Sequence, residues 1–286
     1  MRVLIIGCGY VGLPLGAELV RQGLEVFGLR RSGAASAEME SAGIQPLIGD
    51  ITQPGHLSRL PTDYDWVVDA ISASGGGLDA YRAVYLEGAR HLVDWLGASP
   101  PKKFVYTSST GVYGQTDGST VDESSPTEPA ADTARILIEA ECVLLEAARR
   151  RGFPAVVLRL AGIYGPGRGY WLKQHLSGEM RIQGDGRRYL NMVHRDDAIG
   201  AIIAALRRGR PGQVYNVVDN EPVPQRVLFE WFCQHFGGAM PPSVPAEPAG
   251  QSKRGITDKK VGNLKLTTEL GYHFNYPTFR EGFRAV

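Results

Sequence analysis

Three glycines near the start of the chain, Gly7, Gly9 and Gly12, stand directly after an apolar run at a spacing that could serve phosphate binding. A pyrophosphate is held in proteins by backbone amides and by the N-terminus of a helix. The first glycine permits a tight turn, the second lets the backbone approach the phosphates, and the third lets the next helix pack on the strand. The spacing therefore predicts a dinucleotide-binding loop that also contains Tyr10 and Val11. The alternative is a purely structural turn between a strand and a helix.

The end of the second apolar run, Leu24–Leu29, indicates which dinucleotide would bind. Proteins that bind NAD usually carry Asp or Glu there to hold the ribose 2′-hydroxyl, but this chain continues with Arg30 and Arg31. A guanidinium could bind the 2′-phosphate of NADP through two parallel hydrogen bonds. We therefore expect NADP as the cofactor, with NAD as the alternative; the two arginines could also be solvated surface residues. Asp50, after the third run, could accept a hydrogen bond from the adenine amino group or form a turn before Thr52.

Short apolar runs alternate with longer helical patterns along the chain. The predicted strands are Val3–Ile6, Leu24–Leu29, Gln45–Ile48, Trp66–Ile71, Lys103–Thr107, Ala155–Leu160 and Val214–Val218. The predicted helices are Tyr10–Arg21, Asp79–Leu96, Thr133–Arg151, Trp171–Ser177 and Asp196–Arg208. Strands separated by helices of this length pair in parallel through right-handed crossovers. The pattern predicts the α/β class, with a doubly wound parallel (Rossmann) sheet.

The regular alternation loosens after Leu160, where glycine and proline become frequent. We interpret residues 1–165 with 193–218 as the dinucleotide-binding domain. Residues 166–192 with 219–286 are interpreted as a small C-terminal substrate-binding lobe over the ligand edge of the sheet.

Composition narrows the classes of function. The 286 residues are 43% hydrophobic and 21% charged with a formal net charge of +1, as in an ordinary globular protein. Such a chain has no overall attraction to nucleic acid or to an anionic membrane, and no apolar stretch reaches the roughly 18 residues of a spanning helix. Cys8, Cys142 and Cys233 indicate neither a disulfide framework nor a zinc site. We expect a cytoplasmic protein with no nucleic-acid, membrane or metal partner.

Several segments follow one another in an order typical of one family: Gly7–Gly12, Gly49-Asp50, Thr107–Gly114, Arg159–Gly167 and Val193–Asp197. Together they resemble the extended short-chain dehydrogenase/reductase family, the NAD(P)-dependent sugar-nucleotide epimerases and dehydratases. The resemblance covers nearly the whole chain, because Glu269–Tyr272 and Tyr276–Gly282 are similar to the family's C-terminal helices. It implies hydride transfer at a nicotinamide, a small-molecule substrate such as a nucleotide-sugar, and a homodimer formed through the helices Asp79–Leu96 and Thr133–Arg151.

In that family a Ser or Thr, a Tyr and a Lys carry the acid–base chemistry. Ser109 matches the first of these when Val112–Gly114 is aligned, and it would hydrogen-bond the reacting hydroxyl or carbonyl. The polar strand end could instead satisfy local backbone groups. Ser108 and Ala70 complete the set of residues that we expect to contact the cofactor.

The helix Thr133–Arg151 departs from the family's pattern. With Glu141 aligned to the family's glutamate, Thr133 stands at the tyrosine position and Leu137 at the lysine position. A threonine hydroxyl is far too weak an acid, and leucine supplies no ammonium to lower the pKa of a neighbouring hydroxyl. No Tyr-x-x-x-Lys occurs anywhere in the sequence, so a shifted alignment cannot restore the pair. Tyr85 stands where many members carry asparagine.

Two explanations stay open. Tyr113 or Tyr164 could donate the proton to a carbonyl reduced by NADPH, although each could equally pack beneath a loop. Alternatively, the protein could bind the dinucleotide without turnover. We predict an NADP-preferring oxidoreductase, epimerase or dehydratase, with a catalytically silent NAD(P)-binding regulator or redox sensor as the alternative. A methyltransferase is a more remote reading, because the acidic residue expected after the second strand is missing.

The C-terminal lobe offers candidates for a substrate diphosphate: Arg168, Lys173, Arg187, Arg188 and Asn191. Arginine suits planar anions, although Arg187 and Arg188 could belong to a solvated hairpin turn. Asp196 or Asp197 could cap the following helix, with His194 as a buried, hydrogen-bonded histidine. Cys8 is expected to pack inward, although a helix N-terminus could activate its thiol.

Overall fold

The computed structural model describes residues 1–73, 75, 77–245 and 256–285. Its strands are β1 (Arg2–Ile6), β2 (Glu25–Arg30), β3 (Gln45–Ile48), β4 (Trp66–Asp69), β5 (Lys103–Ser109), β6 (Ser119–Val121), β7 (Ala155–Leu160), β8 (Gly162–Tyr164), β9 (Ile182–Gln183), β10 (Tyr189–Leu190), β11 (Met192–His194), β12 (Val214–Val217), β13 (Val223–Pro224), β14 (Ser243–Val244) and β15 (Lys259–Val261). Its α-helices are α1 (Gly12–Arg21), α2 (Ser36–Ser41), α3 (Pro54–Leu57), α4 (Gly77–Arg82), α5 (Gly88–Gly97), α6 (Asp132–Arg151), α7 (Tyr170–Leu176), α8 (Arg195–Arg208), α9 (Gln225–Phe236), α10 (Leu264–Glu269) and α11 (Phe279–Arg284). A π-helical segment, Ala83–Glu87, joins α4 to α5.

Seven of the described strands form the central sheet, in the order β12-β7-β5-β4-β1-β2-β3. The pairings from β3 through β2, β1 and β4 to β5 are parallel. The chain runs outward from β1 to β3 and then crosses to β4 on the other side of β1. This crossing creates the topological switch point at which ligands bind in such sheets. The predicted α/β class and doubly wound parallel sheet are confirmed.

Alternating side chains of β1 serve opposite faces of the sheet, as the strand period requires. Leu4 packs in a buried cluster with Leu92 of α5 and Leu144 of α6. Burial of each such side chain contributes roughly 1.5–3 kcal/mol. On the other face, a Cβ on Gly16 of α1 would come within 3.2 Å of the Ile5 side chain. α1 therefore lies directly on the sheet and fixes the loop that precedes it.

Several predicted elements have different bounds in the structure, and three of these differences lie near the glycine loop or the helices beside it. α1 begins at Gly12 rather than Tyr10, because the glycine loop occupies the positions before it. β4 ends at Asp69, two residues before the predicted end. The predicted continuous helix Asp79–Leu96 is instead α4, the π-helical segment and α5.

Helix α9 and most of the short strands are absent from the sequence predictions. α9 buries Leu228, Phe229 and Phe232, which lie one and four positions apart along one helix face. This apolar spacing is a helical signal that the sequence carries. The short strands pair as β6 with β15, β8 with β11, β9 with β14 and β10 with β13.

The chain divides into two compact units. The first comprises Met1–Ser109, Arg135–Arg159 and Ile199–Tyr215, and the second comprises Thr110–Ala134, Leu160–Ala198 and Asn216–Val286. Thr110–Ala134 thus groups with the second unit, whereas the interpreted dinucleotide-binding domain contains it. The domain bounds proposed from the sequence stay a prediction.

The start of α8 corrects one expectation. The helix begins at Arg195, so Asp196 and Asp197 lie in its first turn and neither is the N-cap residue. Asp197 is fully buried and accepts hydrogen bonds from the Tyr272 hydroxyl at 2.8 Å and the Asn275 N–H at 2.7 Å. Its carboxylate therefore anchors the C-terminal segment within the second unit. Among the helices that the structure describes, none is long and apolar enough to cross a membrane.

Candidate functional site

The backbone of the glycine loop explains two of its glycines. Gly7 has a φ of 91°, in the left-handed region that favours glycine. A Cβ on Gly7 would lie 2.9 Å from the Ala70 carbonyl oxygen, and a Cβ on Gly12 would overlap the Gly7 carbonyl. The protein itself therefore demands glycine at both positions, and Ala70 lies against the loop as its immediate neighbour.

Gly9 is exposed, and a Cβ on it would meet no described atom within 4 Å. The loop is closed by its own backbone, since the Gly9 N–H donates to Gly7 at 2.8 Å and the Leu13 N–H donates to Gly9 at 2.9 Å. Among the described residues, no side chain caps α1 and none in its first turn is acidic. Such a helix N-terminus carries partial positive charge and open amides that suit a phosphate. The loop therefore fits a dinucleotide pyrophosphate, with Tyr10 and Val11 half-buried in it.

The two arginines at the end of β2 have different surroundings. Arg30, the last residue of the strand, contacts the glycine loop, whereas Arg31, which follows it, lies at a cleft. Arg30 is half-buried, and its Nη1 donates to the Cys8 carbonyl oxygen at 2.5 Å. Arg31 is exposed and lines a cleft of the first unit. The Cys8 side chain is buried, and desolvation raises the pKa of its thiol to about 12 although Arg30 opposes the shift. Cys8 is therefore a packed residue rather than a reactive thiolate.

The cleft is lined by Arg31, Asp50, Ile51, Thr52, Ile71 and Ser72, among others. Asp50 Oδ1 accepts hydrogen bonds from the Thr52 N–H at 2.9 Å and the Thr52 hydroxyl at 2.8 Å. This is the turn that the sequence analysis gives as the alternative for Asp50. It fixes the side chain in the cleft wall, and the contact of Asp50 with adenine stays a prediction.

Ser108 belongs to a buried network in the first unit. Its hydroxyl donates to Glu141 Oε1 at 2.5 Å, and Arg159 Nη2 donates to Glu141 Oε2 at 2.7 Å. All three residues are buried. Removing Glu141 or Arg159 would leave the other as an uncompensated buried charge. The intact pair therefore supports Ser108 near the end of β5. Glu141 enters the sequence prediction only through the family motif, and its pairing with Arg159 is not predicted there.

Helix α6 carries none of the expected acid–base groups. Leu137 is buried and Thr133 is half-buried, so the lysine and tyrosine positions of the family hold an apolar and a weakly acidic side chain. Ser109 ends β5 and is half-buried. Among the described residues, no group of three or more His, Cys, Asp or Glu is placed to hold a metal ion.

Tyr113 lies in a closed network of the second unit. It is 0% exposed, and its hydroxyl donates to Asn216 Oδ1 at 2.9 Å. Lys259 Nζ donates to the Tyr113 carbonyl at 2.7 Å, and burial lowers the pKa of Lys259 to about 8. Neither partner is predicted from the sequence, because Asn216 and Lys259 lie more than 100 residues from Tyr113 in the chain.

Tyr164 is also enclosed by the second unit. It is 3% exposed, its ring stacks on Phe283 at 4.2 Å between centroids, and His194 meets it edge-on. The Tyr164 hydroxyl finds no hydrogen-bond partner among the described residues. Burial, followed by the nearby Asp219 carboxyl, raises the pKa of Tyr164 far above its usual value. In this arrangement the hydroxyl is a weaker acid than that of a free tyrosine.

The candidates in the predicted lobe have separate surroundings. Asn191 uses both ends of its amide on the backbone of β15, donating to Lys259 at 2.9 Å and accepting from Val261 at 2.8 Å. These two bonds hold the Asn191 side chain on β15, and its expected part in diphosphate binding stays a prediction. Arg187 is exposed and forms an ion pair with Asp185 at 3.2 Å, as a solvated turn would. Arg168 and Lys173 are exposed and Arg188 is half-buried.

The contacts of the first unit connect most of the predicted cofactor residues. Gly7 lies against the Ala70 backbone, and Arg30 donates a hydrogen bond to the Cys8 carbonyl oxygen. Arg31 and Asp50 line the same cleft. Ser108 lies in its own buried network. The predicted catalytic residues are split: Ser109 is in the first unit, while Tyr113 and Tyr164 are in the second.

Known proteins share this sequence pattern and fold. Residues 3–218 match the family described as "NAD dependent epimerase/dehydratase family". Protein YeeZ of Escherichia coli (strain K12) is 30% identical over 283 residues, which cover 96% of each chain. The structure of a conserved protein of unknown function from Silicibacter pomeroyi is 28% identical with a TM-score of 0.80, covering 99% of this chain and 97% of that one. A dTDP-glucose 4,6-dehydratase from Streptomyces venezuelae, solved with NAD bound, has a TM-score of 0.84 at 22% identity, covering 99% and 94% of the two chains.

Proposed function

The chain belongs to the NAD-dependent epimerase/dehydratase family, and from that premise we propose that it prefers NADP and acts on a nucleotide-sugar or another hydroxy or keto compound. Membership of this family makes the chain an NAD(P)-dependent oxidoreductase-like protein, as the resemblance predicts. The observation that carries the proposal is the loop Gly7–Gly12, whose exposed Gly9 and uncapped helix α1 leave room and positive potential for a pyrophosphate. When bound, the dinucleotide would supply hydride-transfer chemistry.

The preference for NADP is supported by the end of β2. Arg30 and Arg31 replace the carboxylate that would hold a ribose 2′-hydroxyl, and Arg31 lines the cleft beside Asp50. Charge-assisted hydrogen bonds from arginine to phosphate are about twice as strong as neutral ones. Because Arg31 lines the cleft beside Asp50, we propose that Arg31 supplies the larger share of the contact with the 2′-phosphate.

The proposed substrate class rests on the family and on the dehydratase of similar fold, whose substrate is a nucleotide-sugar. Arg168 and Lys173 are the exposed cations proposed to meet its diphosphate. The small lobe bounded at residues 166–192 and 219–286, and a homodimer through α4–α5 and α6, remain parts of this proposal.

Three residues are proposed for the acid–base step. Ser109 comes first, since it ends a central strand and is less buried than the two tyrosines. Tyr113 and Tyr164 follow as candidate proton donors that would need the second unit to open around them.

A catalytically silent NAD(P)-binding regulator is the second candidate. The observation that favours it is Leu137, a buried leucine at the position of the family's catalytic lysine. A leucine at this position does not lower the pKa of a neighbouring hydroxyl, as an ammonium would.

Fluorescence titration with NADPH and NADH tests the binding proposal. We expect NADPH to bind at least about tenfold more tightly than NADH. Arg31→Ala should lower the affinity for NADPH by about tenfold, leave the affinity for NADH unchanged, and so remove most of the preference. Arg59→Ala, an exposed arginine of the first unit outside the cleft, is the matched control. A preference for NADH would reject the role of Arg31, and no binding of either dinucleotide would reject both candidate functions.

A turnover screen then separates the two candidates. NADPH oxidation is followed with nucleotide-sugars and small ketones, and the active substrate is repeated with Ser109→Ala. The oxidoreductase predicts turnover that falls about a hundredfold in that variant. Binding without turnover across the panel would favour the regulator.

A further inference from the structure

One helical stretch of the first unit contacts two of the loops that line the cleft. We call these the cleft loops: the turn Asp50–Thr52 after β3, and the segment Ile71–Ala73 after β4. Residues of both loops line the cleft, and so do Ala80 of α4 and Val84 of the π-helical segment. The helical stretch is therefore both part of the wall and the support behind it.

The first cleft loop is held by α5. His91 Nδ1 donates to the Ile51 carbonyl oxygen at 2.7 Å, across 40 residues of sequence. Gly88, one turn earlier, lies so near that a Cβ would come within 2.5 Å of Ile51 Cδ1. Ile51 is 2% exposed. Close packing and a directional hydrogen bond together fix the position of this loop against the helix.

The second cleft loop is held by the π-helical segment. The Tyr85 hydroxyl accepts a hydrogen bond from the Ala73 N–H at 3.2 Å. The Tyr85 ring packs on Tyr81 at 4.4 Å between centroids, which fixes the direction of the hydroxyl. A π turn adds a residue to the helical repeat and so redirects the side chains that follow. In this chain the irregular turn carries the tyrosine that reaches the loop.

We infer that Tyr85 and His91 are positioning residues for the adenosine half of the dinucleotide. The two side chains lie six positions apart on one helical stretch and each holds one cleft loop, so together they set the separation of the cleft walls. Neither residue needs to touch the ligand. The inference rests on the proposed function, because it takes the cleft beside Arg31 as the place of the 2′-phosphoadenosine group.

Calorimetric titration with adenosine 2′,5′-bisphosphate tests this inference in three variants and a control. Tyr85→Phe removes the hydroxyl that holds Ala73, and His91→Leu removes the donor to Ile51. His91→Asn retains an N–H donor at the same position. Tyr106→Phe is the matched control, since it also deletes a buried tyrosyl hydroxyl of the first unit, one with no hydrogen-bond partner among the described residues.

We expect Tyr85→Phe and His91→Leu each to weaken binding by about three- to tenfold, the effect of one lost hydrogen bond. His91→Asn should bind within about twofold of the wild type, and Tyr106→Phe should bind as the wild type does. Amide exchange of the ligand-free protein should become faster at the loop that each variant releases. Faster exchange in Tyr85→Phe and His91→Leu with unchanged affinity would overturn the inference.

The same experiment distinguishes this inference from the proposed function. If the wild type binds neither the bisphosphate nor NADPH, the proposed function fails and the inference fails with it. If the wild type binds and both variants bind equally well, only the positioning role fails. Equal weakening by His91→Leu and His91→Asn would also contradict the role given to the hydrogen bond.

Discussion

The glycine loop and the two buried tyrosines offer opposite surroundings for chemistry. Beside Gly9 a Cβ would meet no described atom within 4 Å, whereas Tyr113 is 0% and Tyr164 is 3% exposed. The loop leaves space that a phosphate can fill, while the tyrosines are already enclosed by their own unit. A general acid needs both access to its substrate and a pKa near the working pH, and burial raises the pKa of Tyr164. The glycine loop is therefore open to a ligand, whereas the two tyrosines proposed for proton transfer are enclosed by the second unit.

Replacing Gly9 is the most direct challenge to the open loop. Gly9→Val should weaken NADPH binding by at least about a hundredfold, because the side chain would enter the space proposed for the pyrophosphate. The free energy of unfolding should change by less than about 1 kcal/mol, since no described atom is near enough to clash. Gly97→Val, at the end of α5 where a Cβ also meets no described atom within 4 Å, is the matched control and should bind normally. Normal binding by Gly9→Val would mean that the loop is only a structural turn.

The end of β4, beside this loop, gives a pH-dependent test of burial. Asp69 is 3% exposed, and desolvation raises its pKa from 3.8 to about 7. The folded state therefore favours the protonated form. This contribution to stability is fully present below the unfolded pKa of 3.8 and is lost as the pH rises through about 7.

Asp69→Asn should remove that dependence, because its amide stays neutral and its Oδ1 can still accept from the Ile71 N–H. Urea unfolding of both proteins from about pH 4 to pH 7 should show the wild type losing roughly 3 kcal/mol relative to the variant. A constant difference between the two proteins over this interval would contradict the burial of a neutral carboxyl at this site.

The enclosure of the two tyrosines is tested first at Tyr113. Tyr113→Phe leaves the buried Asn216 Oδ1 without its donor, which should cost about 1–2 kcal/mol of unfolding free energy. NADPH affinity should stay within about twofold of the wild type, because the loss is confined to the second unit. Denaturant unfolding with an unchanged m-value measures the first quantity and fluorescence titration the second. A loss of turnover without loss of stability would instead make Tyr113 the proton donor.

Local patterns in the sequence predict the binding region well. The glycine spacing, the apolar strand of β1 and the helical period of α1 are each contained in a few consecutive residues, so their geometry follows from local rules. The same locality would have permitted α9, whose buried Leu228, Phe229 and Phe232 follow a helical spacing. The sequence therefore contains the apolar spacing that predicts α9, although α9 is absent from the predicted helices.

The supports of the candidate site depend on contacts between distant segments. Glu141 meets Arg159 across 18 residues and Ser108 across 33, while Lys259 meets Tyr113 across 146. Buried polar groups must be paired, but many pairings satisfy that rule until the fold has chosen one. The sequence therefore contains the partners, whereas only the folded chain brings them together.

Tyr164 carries the smallest expected effect and separates packing from chemistry. Its hydroxyl has no hydrogen-bond partner among the described residues, so Tyr164→Phe removes no bond and relieves the desolvation of a polar atom. We expect the free energy of unfolding to change by at most about 0.5 kcal/mol, or to rise slightly, while the ring keeps its stack on Phe283. NADPH affinity and any turnover found in the screen should also be unchanged. A variant that stays folded and binds NADPH but loses turnover would show that the second unit opens to expose this hydroxyl, and the contrast between an open loop and closed tyrosines would then hold only for the ligand-free protein.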